Sequence, residues 1–205
     1  MSKGLKIAIA VIGGLALVAL IFGGWVAGSY NKLVSLDQST QAQWAQVENQ
    51  YQRRADLVPN LVNTVKGAAK FEQDTLTAVT EARSKVGQVT SGAIGNIAND
   101  PAAFQRFQQA QDGLSSALSR LMVVVEKYPE LKATAAFRDL QAQLEGTENR
   151  ISTERMRFNE SAQNFNATRQ SFPTVIVAGF FGSRFQEKPY FKATAGAEKP
   201  PEVKF

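Results

Sequence analysis

Residues 134–171, TAAFRDLQAQLEGTENRISTERMRFNESAQNFNATRQS, decide the fold. Phe137, Leu144, Ile151, Phe158 and Phe165 recur at every seventh position, Phe172 continues the series, and Leu140 fills an intermediate slot. A seven-residue apolar repeat closes on itself after two helical turns, whereas a strand would alternate with period two. The stretch contains no proline. It therefore predicts one long amphipathic helix over residues 134–171.

Working outward from it, residues 101–128 repeat the pattern with Phe104, Phe107, Leu114, Leu118, Leu121, Val125 and Tyr128. Asp100-Pro101 supplies an N-cap and a proline at the first helical position, and Pro129 ends the run. Residues 31–89 form a third stretch, with Leu33, Leu36, Trp44, Val47, Tyr51, Val58, Leu61, Val65, Ala68, Val79, Ala82 and Val86 on one seam. Pro59 lacks a backbone donor and disfavours helical geometry at Val58, so a kink or short break is expected near residues 56–60. Residues 87–99, GQVTSGAIGNIAN, read as a loop from their Gly, Ser and Asn content. Three antiparallel segments of this kind can bury a common core, and each buried Leu or Phe contributes about 1.5–3 kcal/mol.

Before these helices lies IAIAVIGGLALVALIFGGWVAGSYN, residues 7–31, without a charge. Its clearly apolar part, residues 7–28, extends about 33 Å as a helix, enough to cross a hydrocarbon core of roughly 30 Å. The competing reading is a cleaved signal peptide, with Val26-Ala27-Gly28 as a small-residue cleavage site; the apolar run exceeds the roughly 7–15 residues of a signal core. The amino terminus, Lys3 and Lys6 lie on one side and only Lys32 close on the other. The positive-inside rule then keeps residues 1–6 cytoplasmic and the rest outside, with Trp25 and Tyr30 at the outer interface. Ala10-x-x-x-Gly14 and Gly24-x-x-x-Gly28 fit the small-residue spacing by which membrane helices approach one another, although glycine is common in such helices in any case.

Composition narrows the chemistry. The 205-residue chain has no cysteine and no histidine. Disulfides, zinc–thiolate sites, Ser-His-Asp and Cys-His catalysis are therefore excluded for a single chain. The net charge is +5, but acids and bases alternate along the helices. That describes a solvated surface; a nucleic-acid-binding stripe of bases and aromatics is not present.

Several motifs resemble the LemA family: Tyr30-Asn31-Lys32-Leu33-Val34, Trp44, QRRADLVPNLVNTVKG at residues 52–67, Ala82-Arg83, and YPELKA at residues 128–133. EGTENRI at residues 145–151, Arg155, Phe158-Asn159-Glu160, Phe165-Asn166, Phe172-Pro173 and PEVKF at residues 201–205 extend the resemblance from the anchor to the last residue. Phe158 and Phe165 stand where the family often has tyrosine, so a phenol role does not carry over to them. The resemblance implies an N-terminal membrane anchor and an extracytoplasmic helical bundle, usually described as four-helix. It implies no catalytic residue, cofactor or metal.

The densest polar motif, Arg53-Arg54-Ala55-Asp56 beside Pro59-Asn60, is the centre of the candidate site. Arg54 shares the seam of Tyr51 and Val58, so it needs a partner from another helix, and Glu145, Glu148 and Glu154 offer carboxylates. Arg53, Arg54, Asp56, Asn60, Glu148, Arg150 and Arg155 are the residues expected in an interhelical network that fixes register or, in the sharper reading, in a partner interface. The tail, residues 172–205, is aromatic: Phe172, Phe180, Phe181, Phe185, Tyr190 and Phe191 need burial. They can fold back on the bundle, pack on a neighbouring subunit, or enter the membrane surface with Lys188 and Lys192 at headgroups.

The expectation is an all-α chain: a single transmembrane helix, an antiparallel long-helix bundle of three to four helices over residues 31–171, and an aromatic tail. Its partners are the membrane, other copies of itself and, as an alternative, another envelope protein; nucleic acid is not among them. The expected function is a self-assembling, non-enzymatic scaffold of the bacterial cytoplasmic membrane. An extracytoplasmic adaptor or sensor for a membrane protein such as an envelope protease is the second reading, and a carboxylate-based hydrolase the weakest.

Overall fold

The computed structural model describes residues 2–67, 72–92, 97–182 and 184–192. Ala68 and the PEVKF ending, named above, lie outside the described residues. Among the described residues six α-helices follow one another: α1 (Lys3–Lys66), α2 (Gln73–Gly92), α3 (Pro101–Val125), α4 (Pro129–Lys132), α5 (Ala135–Gln170) and α6 (Thr174–Phe180), with a 3-10 turn at Ile97–Asn99. The fold is all-helical among the described residues, as the seven-residue repeats require.

Helix α1 is 64 residues long and passes from the apolar N-terminal segment into the bundle without interruption. The break expected at residues 56–60 does not occur: Pro59 sits inside the helix. Proline removes the donor to the carbonyl four residues earlier, which here is Ala55. Arg83 of α2 replaces it, donating Nε–H to the Ala55 oxygen at 2.9 Å. The loop reading of residues 87–99 also needs correcting, because α2 continues through Gly87 to Gly92. Its inward Leu76, Val79 and Val86 extend the buried seam and outweigh the glycine and serine content. Local composition lost to tertiary packing.

The cap read from the sequence at Asp100 opens α3, and a second one, at Thr134, opens α5. The Asp100 carboxylate accepts from the amides of Ala102 at 2.8 Å and Ala103 at 3.3 Å. The Thr134 hydroxyl accepts from the Phe137 amide at 3.3 Å. Each satisfies amides that the first helical turn leaves without partners. Helix α3 stops at Val125, earlier than Pro129, which instead opens α4.

Helices α1 and α5 are the antiparallel spine. Trp44 meets Phe158, Arg54 meets Glu148 and Thr40 meets Ser161, so numbers rising on one helix fall on the other. On α1 the buried positions Leu33, Asp37, Thr40, Trp44, Val47, Tyr51, Arg54, Val58, Leu61 and Val65 alternate in steps of four and three. The hairpin of α2 and α3 covers the half of the spine around Leu57–Val65 and Phe137, with Leu121 of α3 in the shared core, completing four helices there. A second cluster surrounds Trp44, Phe104, Phe107 and Phe158.

Beyond that cluster α2 and α3 have ended, and the tail takes their place. Phe185 packs with Leu33, Phe165 and Ala178, and Phe191 joins Trp44, Phe104 and Phe158. The tail thus runs from the anchor-proximal end of the bundle towards its middle, filling the groove that two shorter helices leave open.

Candidate functional site

Two polar constellations interrupt the apolar seams. The first is centred on Arg54, which is 1% exposed. Its Nη1 donates to Ser115 Oγ at 2.7 Å and to Glu148 Oε1 at 2.8 Å. Its Nη2 donates to the side-chain oxygen of Gln111 at 2.5 Å and to the Gln111 carbonyl at 3.2 Å. The guanidinium also lies 5.0 Å from the Tyr51 ring centroid. One cation thereby ties α1 to α3 and α5 together. A buried charge is tolerated when its donors are met; the two Nη groups have four acceptors from two helices, while the buried Nε–H has none among the described residues.

Burial raises the Tyr51 phenol above its usual pKa of 10.0; nearby Arg155 and Arg54 oppose that rise without cancelling it. Beside this constellation a groove of about 580 Å³ opens between α3 and α5, lined by Ser115, Ser119, Gln141, Glu145, Glu148 and Asn149 among others. Glu148 links the two: one oxygen holds Arg54, while 45% of its side chain remains exposed.

Of the residues expected in the network, Arg54 and Glu148 are brought together. Arg53, Asp56, Asn60 and Arg150 are exposed and take no part. They fall between the seam positions of their helices, and Asp56 is instead held by Gln52 at 2.8 Å. Arg155 acts on Tyr51 through its charge but makes its direct contacts with the tail: its Nη2 donates to the Lys192 carbonyl at 2.9 Å and its guanidinium covers the Phe191 ring at 4.7 Å. Of the other candidate carboxylates, Glu145 accepts from Gln141 and Glu154 pairs with Arg157.

Gln111 and Ser115 were not anticipated. Gln111 occupies the heptad slot between Phe104 and Leu118, and a polar residue at a core position was the available signal.

The second constellation fastens the tail. Lys188, 2% exposed, donates Nζ to Asp37 Oδ1 and Asn99 Oδ1 and lies 4.9 Å from the Phe165 ring centroid. Placing Lys188 at lipid headgroups is therefore corrected. Asp37 occupies a seam position of α1 and needs a cationic partner inside the bundle.

Two asparagines of α5 then grip the tail backbone. Asn166 donates to the Lys188 carbonyl and accepts from the Lys188 amide, both at 2.9 Å. Asn159 does the same for Phe191, again at 2.9 Å in both directions. Seven residues of helix rise about 10.5 Å, and three residues of extended chain span about 10 Å. The spacing of the two asparagines on α5 thus matches that of the two gripped tail residues.

The aromatic tail does not act as one body. Phe185 and Phe191 are buried, and Phe181 is half-buried against Tyr30 at a centroid distance of 5.0 Å. Phe172 and Phe180 are 82% and 84% exposed, and Tyr190 lies at the surface with its hydroxyl accepting from Asn166. Phe172 follows the end of α5 at Gln170, so the heptad series does not carry it into the core.

At the other end, residues 5–22 expose every large apolar side chain. The described part of α1 is long and apolar enough to cross a membrane. Around Gly14, Gly24 and Gly28 there is open space, and Ala10 is exposed.

Comparison with known proteins agrees with the motifs. A sequence model described as the LemA family matches residues 43–205. Magnetosome protein MamQ 2 of Paramagnetospirillum magneticum is 30% identical over 207 residues, covering 92% of this chain and 75% of that protein. Magnetosome protein MamQ of Magnetospirillum gryphiswaldense is 29% identical over 178 residues, covering 78% and 65%. Protein LemA of Metamycoplasma hominis is 24% identical over 151 residues, covering 74% of this chain and 64% of its own length.

Proposed function

This chain belongs to the LemA family, and from that premise we propose that it is a non-enzymatic, self-assembling scaffold of the bacterial envelope. In this reading residues 7–28 span the cytoplasmic membrane, residues 1–6 are cytoplasmic, and the bundle stands outside. The observation that carries it is the uninterrupted α1, which joins the apolar segment to the bundle with no hinge. A separate tether would leave the bundle free; a shared helix makes the anchor part of the structural frame. The open small-residue face of Ala10, Gly14, Gly24 and Gly28 offers a close-packing surface to a second anchor.

The non-enzymatic reading is supported by how the buried charges are used. Arg54 and Lys188 are held by partners that bind helices to each other and to the tail. The names of the matched relatives designate no reaction.

A mass measurement of the full-length protein in mild detergent tests this proposal. A large homogeneous particle supports the scaffold, and a Gly24→Ile, Gly28→Ile variant is expected to reduce its size. An unchanged size in that variant removes the anchor from the assembly. The groove between α3 and α5 favours a second reading, an extracytoplasmic adaptor or sensor that engages a membrane protein such as an envelope protease. A small particle that co-purifies with one such protein would select it.

A further inference from the structure

Helix α6 has two faces. Val177 and Ala178 are buried against the bundle, whereas Val175 and Ile176 are exposed, together with Phe180 and, just before the helix, Phe172. Ile176 and Phe180 are four residues apart in the helix and so share one side, while Phe172 is exposed just ahead of it. Residues 171–182, SFPTVIVAGFFG, contain no charge; exposed Arg184 follows two residues later, and exposed Lys32 adjoins Leu33, which packs on Ala178.

The position of this face matters as much as its composition. Tyr30 of α1 meets Phe181 at 5.0 Å and Phe185 at 5.4 Å, edge to face. Tyr30 lies two residues, or about 3 Å of helical rise, beyond residue 28, where the apolar segment ends. Helix α6 therefore packs beside α1 within a turn of the end of the apolar segment, which is the depth of the outer membrane–water interface if residues 7–28 span the bilayer. Large aromatic and branched side chains beside cationic residues suit that depth.

We propose that α6 is an interfacial foot, with Phe172, Val175, Ile176 and Phe180 in the outer leaflet beside the anchor and Lys32 and Arg184 at the headgroup phosphates. This rests on the reading of residues 7–28 as membrane-spanning and adds a second lipid contact, which arrests rotation of the bundle about the anchor.

The chain lacks cysteine, so single cysteines carry a fluorophore to one site. The full-length protein, in vesicles of phosphatidylethanolamine and phosphatidylglycerol, is labelled separately at Ile176→Cys, Phe180→Cys, Leu15→Cys in the anchor and Asn149→Cys on the exposed face of α5. Labels at Ile176→Cys and Phe180→Cys are expected to be quenched by lipid-borne doxyl chains and shielded from aqueous iodide, as the anchor label is. The label at Asn149→Cys should show the reverse.

Iodide quenching at both α6 sites, with the anchor label in lipid, overturns the foot and leaves the anchor reading intact. Shielding from iodide without doxyl quenching also overturns it, in favour of cover by a second copy. Loss of doxyl quenching at Leu15→Cys would instead refute the anchor reading itself. Helical circular dichroism of each labelled protein verifies that the fold is retained.

Discussion

Arg83 of α2 donates to the carbonyl of Ala55 on α1, the acceptor that Pro59 leaves without its helical donor. The proline is compatible with a continuous helix because another helix supplies the missing hydrogen. Two motifs separated in sequence, the Pro59 stretch and Ala82-Arg83, are thus one structural device.

Replacing Arg83 with Ala should destabilise the bundle by about 1–3 kcal/mol, the cost of leaving a buried acceptor unmet. In a Pro59→Ala background the same change should cost less, since the residue 59 amide then serves Ala55. Chemical denaturation of the four proteins of this double-mutant cycle measures the coupling, and equal costs in both backgrounds would contradict the account.

The Arg54 constellation predicts an order of effects opposite to the one charge alone suggests. Gln111 is buried and gives Arg54 two acceptors, whereas Glu148 is half in solvent. Gln111→Leu removes the side-chain oxygen, though not the carbonyl, and leaves a fully buried Nη2–H unmet, so it should cost about 2–3 kcal/mol, against about 1 kcal/mol for Glu148→Gln, which keeps an acceptor at the rim. Denaturant midpoints of the two variants decide the ranking.

For Tyr51, burial raises the folded-state pKa above 10.0. Above pH 10 the folded chain therefore retains a phenol proton that the unfolded chain loses, so stability falls as pH rises there. Below pH 10 both states hold the proton and this contribution is flat. Tyr51→Phe should remove that part of the alkaline decline, and tyrosinate absorbance during a pH titration should show one phenol ionising late.

Asn166→Ala removes both of the bonds that hold Lys188 to α5. The expected loss is about 1–3 kcal/mol of local stability, which speeds hydrogen exchange at the Lys188 amide by about ten- to a hundredfold. Asn159→Ala should loosen Phe191 in the same way while leaving Lys188 protected.

The helices were legible because their repeats were long. Phe137 to Phe165 carries a period that no proline interrupts, and Asp100-Pro101 announces where α3 begins. Pro59 misled because its local cost is met by Arg83, a residue distant in sequence. Asp37, Thr40 and Gln111 were visible as polar residues in seam positions, yet Asp37 needed Lys188 from the tail, and no periodicity marks an extended segment. Arg155 was placed with Arg54 on charge alone; its position near Phe191 depends on where the tail runs.

The continuous α1 also has a geometric consequence. From Tyr30 to Lys66 it projects about 54 Å. With residues 7–28 in a bilayer, a tilt of about 20° there would carry the far end of the bundle sideways by about 18 Å. The same chain would then stand upright in a thick bilayer and lean in a thin one, turning a few ångströms of lipid thickness into a displacement large enough to change which neighbours it reaches.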